Sequence, residues 1–383
     1  MNRLLALILI MFSANSSKAV NLVLDVDVPQ SVDSSALLAG INGFCSDLAD
    51  ENFDGVWCLP ADKACSMPQF EILCDELQKA VEDTNVRVSI VDIAPLTADT
   101  CLVQLSIVNA VSAQLLSLYE IVATKLEGRY LFSSVLSRNM KAMQTVGCEG
   151  INVYFNNDAD RLLAERYVET ALSFDRKFGA IHPANAFLCE NGTSLMQMFR
   201  LLGINYLRDA VGSSWPMVDF EYPDVAFYFY TNRYKDEGID SHDLFHSRAS
   251  LAIESDAVNS YMVCGGGYVY GGSWGMSWNE IKSKFKANMK YDAETDWLKL
   301  YFERFNFGDS KEKHLLITQF VNALIIEQVE AEQGFDAVVK LLSSGNMNKE
   351  RQRFFNILES VTGINEHNFN AKVCELIEKT MKF

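Results

Sequence analysis

The sequence predicts an α+β fold in two parts: a small α+β region, then a mixed sheet that runs into a helical C-terminal lobe. Three observations predict it. Alternating apolar runs, the clearest being Asp224 to Tyr230 with Val225, Phe227 and Phe229 in step, all lie before residue 231. Helical periodicity dominates from Ser277 to Met381. Between the two regimes lies His242-Asp243-Leu244-Phe245-His246, which holds two of the chain's five histidines four residues apart.

At 383 residues the chain is long enough for two domains, and 49% hydrophobic with 22% charged residues is a globular composition. A formal net charge of −17 excludes nucleic acid and an anionic membrane surface as partners, because both would repel the chain. The first residues, MNRLLALILIMFSANSSKA, carry Arg3, an apolar run from Leu4 to Phe12 and small residues ending at Ala19. That pattern predicts a signal peptide over residues 1–19, since the run is too short to span a bilayer. The mature protein is expected to be exported, periplasmic or extracellular, with no membrane span. All nine cysteines lie beyond Ala19. In an oxidising compartment many can pair, so the cluster from Cys45 to Cys101 reads as a stapled, loop-rich region with an odd thiol left over.

Residues 20–145 are expected to form the accessory domain. Val20 to Val28 alternates as a strand. Pro68 to Glu82 has Phe70, Leu73, Leu77 and Val81 at helical spacing, with proline in the first turn. Val86 to Ile93 and Leu102 to Val108 read as strands, and Ala110 to Leu126 as a helix. Residues 146–383 are expected to form the second domain. Ile151 to Phe155 is a strand, Asn156 to Asp158 supplies an N-cap, and Leu162, Leu163, Tyr167, Ala171 and Phe174 form the stripe of a helix ending at Gly179. A strand near Asn185 to Cys189, a helix from Thr193 to Leu202 and the Asp224 to Tyr230 strand follow. Asn191-Gly192-Thr193 matches a glycosylation sequon. Beyond the histidine pair, helices are expected over about 277–289, 293–305, 311–333, 335–342, 350–362 and 367–381.

On a helix, His242 and His246 share one face within a turn and can share a metal ion, for which zinc is the usual occupant. An acidic residue between them can face a metal-bound water as a general base. The common spacing is H-E-x-x-H, and here Asp243 is one methylene shorter. A catalytic zinc takes three protein ligands. Glu254 lies eight residues beyond His246, about 12 Å along a continuing helix, and cannot reach the same ion. Arg248 reads as a structural ion-pair partner, and the acidic run from Glu327 to Glu332 as a solvated face.

Downstream lies Asn259-Ser-Tyr-Met-Val-Cys264-Gly-Gly-Gly-Tyr268-Val-Tyr270-Gly271-Gly272. Together with HDLFHSR it resembles the gluzincins, the thermolysin-like zinc metallopeptidases. Their second motif follows a glutamate ligand with glycine and small residues, on a helix packed across the first. The resemblance covers about residues 150–383 and implies a zincin-like catalytic domain acting on a peptide or protein substrate. It implies that His242 and His246 hold Zn2+, that Asp243 is the base and that Cys264 stands where the glutamate ligand would be. Tyr268, Tyr270 and His314 are the candidates by position to stabilise an oxyanion. Two departures fall together: Cys264 is shorter than glutamate and more electron-donating, and Gly265, Gly266 and Gly267 each weaken a helix by about 1 kcal/mol. The alternative is a catalytically inactive zincin-fold binding or structural module.

Overall fold

The structure is a computed structural model that describes residues 20, 22–189, 194–210, 217–222, 224–230, 240–292, 294–308, 315–347 and 349–381. The expected signal peptide over 1–19, the Asn191 sequon and His314 lie outside the described residues. The fold is α+β, and the chain divides into two compact units. One comprises residues up to 144 with 189–220 and 229–232, and the other comprises 145–188, 221–228 and 233–383.

The first unit begins with β1 (Leu22–Leu24), α1 (Ser34–Ala49), α2 (Lys63–Glu82), β2 (Val86–Pro95), β3 (Thr100–Asn109), β4 (Gln114–Leu126), β5 (Arg129–Ser134) and α3 (Leu136–Met140). Its sheet runs β1-β2-β3-β4-β5; β1 is parallel to β2, and the β2-β3, β3-β4 and β4-β5 pairs are antiparallel. Three expectations are corrected here. The stretch expected as a helix over 110–126 is the long strand β4. Burial alternates there through Ser117, Tyr119, Ile121 and Ala123. Two of those inward residues are too small or polar to show a period of two, and pairing with β3 on one side and β5 on the other overrides local preference. The helix expected from Pro68 begins at Lys63, so Pro68 lies inside α2. The region expected to be loop-rich and stapled is instead two helices joined by an apolar core, with Phe44 and Phe70 edge to face at 5.0 Å and Cys45, Cys74 and Cys101 buried in it. No disulfide links any of the nine cysteines.

The chain continues with β6 (Gln144–Cys148), β7 (Ile151–Phe155), α4 (Arg161–Phe178), β8 (Ala184–Leu188), α5 (Ser194–Leu201), β9 (Ile204–Leu207), β10 (Met217–Glu221) and β11 (Ala226–Tyr230). Strand β9 adds to β4 of the first sheet, and the second sheet has the order β10-β11-β8-β7-β6. Strands β7 and β8 are parallel, linked through α4, which ends at Gly179 in the left-handed conformation. All five residues of β11 are buried, so its tyrosines are covered as well as its phenylalanines.

Then come the helices α6 (Ser241–Ala252), α7 (Ser260–Gly271), α8 (Trp278–Asn288), α9 (Trp297–Phe302), α10 (Ile317–Gln333), α11 (Phe335–Leu342), α12 (Arg351–Thr362) and α13 (Phe369–Met381). Helix α7 packs against both α6 and α10, and its glycines make that possible. A Cβ on Gly265 would stand 2.6 Å from the Asn322 side chain and 2.9 Å from the Ala323 backbone on α10. One on Gly266 would meet the Phe245 ring at 2.5 Å, and one on Gly267 the His242 ring at 2.6 Å. The propensity lost at these three positions is offset by two close helix contacts that no larger residue permits. Asn259 caps the helix, its side chain accepting from the Tyr261 and Met262 amides.

Candidate metal centre

Helix α6 is fixed before its histidines are placed. Asp240 is the N-cap and accepts from the His242 amide at 2.8 Å. Two residues beyond the second histidine, Arg248 is fully buried and grips the equally buried Asp175 of α4, Nε donating to Oδ1 at 2.7 Å. The same guanidinium donates to the His182 carbonyl, and the His182 amide donates to Asp175 Oδ2 at 2.9 Å. Arg248 is therefore the structural ion-pair partner its position suggested. Phe245, one turn before Arg248 and on the same side of the helix, packs between Phe174 of α4 at 5.3 Å and Tyr270 at 5.0 Å.

With the helix so held, His242 and His246 bring their Nε2 atoms to 3.2 Å. His242 Nδ1 lies 2.8 Å from the Gly272 carbonyl oxygen at the end of α7. A carbonyl only accepts, so Nδ1 carries the hydrogen and Nε2 presents its lone pair. That is the way metal-bound imidazoles are commonly held. Cys264 projects from α7 so that its sulfur and the two histidine nitrogens all lie within 4.8 Å of one another. Two nitrogens bound tetrahedrally to zinc at 2.0–2.1 Å stand about 3.4 Å apart, and a nitrogen and a thiolate about 3.6 Å apart. The histidine pair fits this spacing as it stands, and the cysteine needs a shift of about an ångström, within reach of a side-chain rotation.

Charge also suits the donors. Burial, and then the neighbouring His242, push His246 down to about 3, so its imidazole is neutral at ordinary pH. Burial pushes the Cys264 thiol up to about 11, against a hydrogen bond with Gln319 and the charge of Arg304. A metal arriving there must displace that proton. Asp243 is exposed on a pocket of about 610 Å³ that it shares with His242, and partial enclosure followed by Asp240 raises its carboxyl above the usual range.

The structure thus brings His242, His246, Cys264 and Asp243 together. Tyr268 is near, 1% exposed and with its ring 5.7 Å from that of His242, and its buried hydroxyl lies beside the Leu316 main chain. Tyr270 is not brought to the pocket: its hydroxyl donates to Glu330 Oε2 at 2.7 Å, its ring faces Phe245, and Lys177 stands 4.8 Å over it. Its period of two from Tyr268 is the reason, because on a helix two steps turn a side chain to a different face. His314 lies outside the described residues. Sequence reasoning missed the Gly272 carbonyl and the pocket walls Trp274, Arg304 and Gln319. The Gly271-Gly272 pair was a signal for the first; the others carry no motif.

Fold and site together define an α+β protein with a His-His-Cys group at metal-binding distance. No protein-family model matches the chain, and no curated protein matches it.

Proposed function

We propose that the chain is an exported zinc-dependent, gluzincin-like hydrolase that cleaves peptide bonds, with His242, His246 and Cys264 holding the metal. The observation that carries this reading is the convergence of three ligand atoms within 4.8 Å from two helices, with Asp243 lining the adjoining pocket. The order of the elements supports it: a sheet, then the helix bearing the histidines, then a helical lobe, which is the general order of a zincin catalytic domain. Zinc, when bound, supplies a Lewis acid beside the scissile carbonyl. Asp243 takes the proton of the attacking water, and its raised affinity for protons suits a carboxylate to that task. Gly272 holds His242 in the one tautomer that leaves Nε2 free, and Tyr268, whose ring lies 5.7 Å from that of His242, is the hydroxyl assigned to the tetrahedral oxyanion.

Elemental analysis of purified protein tests the reading directly. About one zinc per chain, lost in His242→Ala, is the expected result; metal-free protein after zinc is offered in excess removes it. One observation favours a second reading, an inactive zincin-fold module. The 3.2 Å separation of the two Nε2 atoms is also hydrogen-bond distance, so the pair can close on itself by His246 donating to His242. In that case zinc uptake fails and the fold persists.

A further inference from the structure

The pocket beside the histidines has a charge pattern that peptide-bond cleavage does not explain. Arg304 is the one cation among its described lining residues, and it is exposed. Its guanidinium pairs with no carboxylate among the described residues and lies 5.4 Å over the Tyr261 ring. Its charge is close enough to act on Cys264. On the same pocket stands Trp274, a large aromatic 38% exposed. Both residues hold a left-handed backbone, φ 53° at Arg304 and 52° at Trp274, which costs a non-glycine residue about 1 kcal/mol or more. Conformations of that kind persist where the surroundings over-determine them and cluster where ligands are clamped. The carboxylates on the pocket wall are Asp240 and Asp243, beside the imidazole of His242. A small polyanion would meet two carboxylates for every cation. A peptide, neutral along its backbone and charged at its carboxyl end, meets the arginine with that end alone.

We infer that this pocket receives the carboxyl end of a short peptide, with Arg304 pairing to the terminal carboxylate and Trp274 covering the last side chain. A guanidinium presents a planar pair of donors that matches a carboxylate in two parallel bonds. A volume of about 610 Å³ is the size of pocket that takes such a ligand. The site would then act from the end of a chain, on the bond adjoining the carboxylate that Arg304 anchors. The inference rests on the zinc-hydrolase reading for the cleavage, whereas the recognition needs no metal.

Calorimetric titration of the full chain, with and without added zinc, tests the recognition. The probes are acetyl-Ala-Ala-Phe with a free carboxylate, the same peptide as its carboxamide, and acetyl-Glu-Ala-Phe carboxamide. The acid is expected to bind at least tenfold more tightly than its amide, and the glutamate-bearing amide to behave like the neutral one. Arg304→Gln should erase the preference at unchanged zinc content and unchanged circular dichroism, and Arg304→Lys should keep part of it. Equal binding of acid and amide overturns the inference, as does a preference that survives Arg304→Gln, a glutamate amide that matches the acid, or no binding of any probe at millimolar concentration. The comparison of acid with amide needs no variant, so a misfolded substitution leaves it decisive. An acid preference in a chain that takes up no zinc upholds the recognition and removes the hydrolase reading, so the two fail separately.

Discussion

Arg248 of the motif helix and Asp175 of α4 meet as a two-bond ion pair in which neither side chain has any exposed surface. This contact fastens the helix that carries both histidines to the element beside the second sheet. Removing one partner strands the other charge in the interior. Arg248→Ala and Asp175→Asn are each expected to cost about 3–5 kcal/mol, read as a lower denaturation midpoint. The paired change Arg248→Met with Asp175→Leu should recover most of that loss, because it leaves no lone charge behind.

Zinc affinity should rise with pH. Cys264 is held protonated up to about pH 11, and the metal takes the thiolate, so each unit of pH below that raises the competent fraction about tenfold. His246, pushed down to about 3, offers no proton to compete above pH 5. Between pH 7.5 and 9 the dissociation constant should therefore fall about tenfold per unit, with about one proton released per zinc. Competition with a chelator and calorimetry in two buffers measure both quantities. In Cys264→Ser the slope should flatten; a slope unchanged by that substitution would show that the cysteine is no ligand.

Gly267→Ala should report at the metal. The added methyl would stand 2.6 Å from Cε1 and Nδ1 of His242, so the ring must move off the Gly272 carbonyl. A stability cost of about 1–3 kcal/mol and a loss of zinc affinity of about ten- to a hundredfold are expected. Thermal unfolding and chelator competition separate the two.

The two tyrosines of α7 should behave differently. Tyr270→Phe removes a hydrogen bond to Glu330 and should cost about 1 kcal/mol while leaving zinc content and peptide hydrolysis as they were. Tyr268→Phe removes a buried hydroxyl beside the Leu316 main chain and should cost no more than about 1 kcal/mol, yet slow hydrolysis about tenfold or more if it serves the oxyanion. Equal hydrolysis rates in the two variants would take Tyr268 out of the reaction.

Much of this arrangement could be read from the residues alone. The helices after residue 277, the Gly179 stop and the α6 pair follow from periodicities and caps that are local properties of the chain. Strand β4 could not be read so, because its inward face includes Ser117 and Ala123, and only its neighbours β3 and β5 show why it is extended. The cysteines from Cys45 to Cys101 invited a disulfide reading, whereas three of them are core residues of helices and a strand. At the site, the spacing of His242 and His246 declared itself and the approach of Cys264 was found by resemblance. Arg304 and Gln319 come from segments without any motif and reach the pocket only through the packing of the helical lobe.

The hydrogen bond from His242 to Gly272 has a further consequence. Its acceptor is main chain, and so every amino acid at position 272 would carry the same oxygen. Side-chain scanning is blind to such a contact: it would record a protein whose histidine has no orienting partner, and would credit the tautomer to the imidazole itself. An amide-to-ester replacement after Gly272, which weakens the carbonyl as an acceptor without changing any side chain, would expose it. Selection faces the same blindness, and can alter this part of the site only by moving the backbone that two helices and three glycines hold in place.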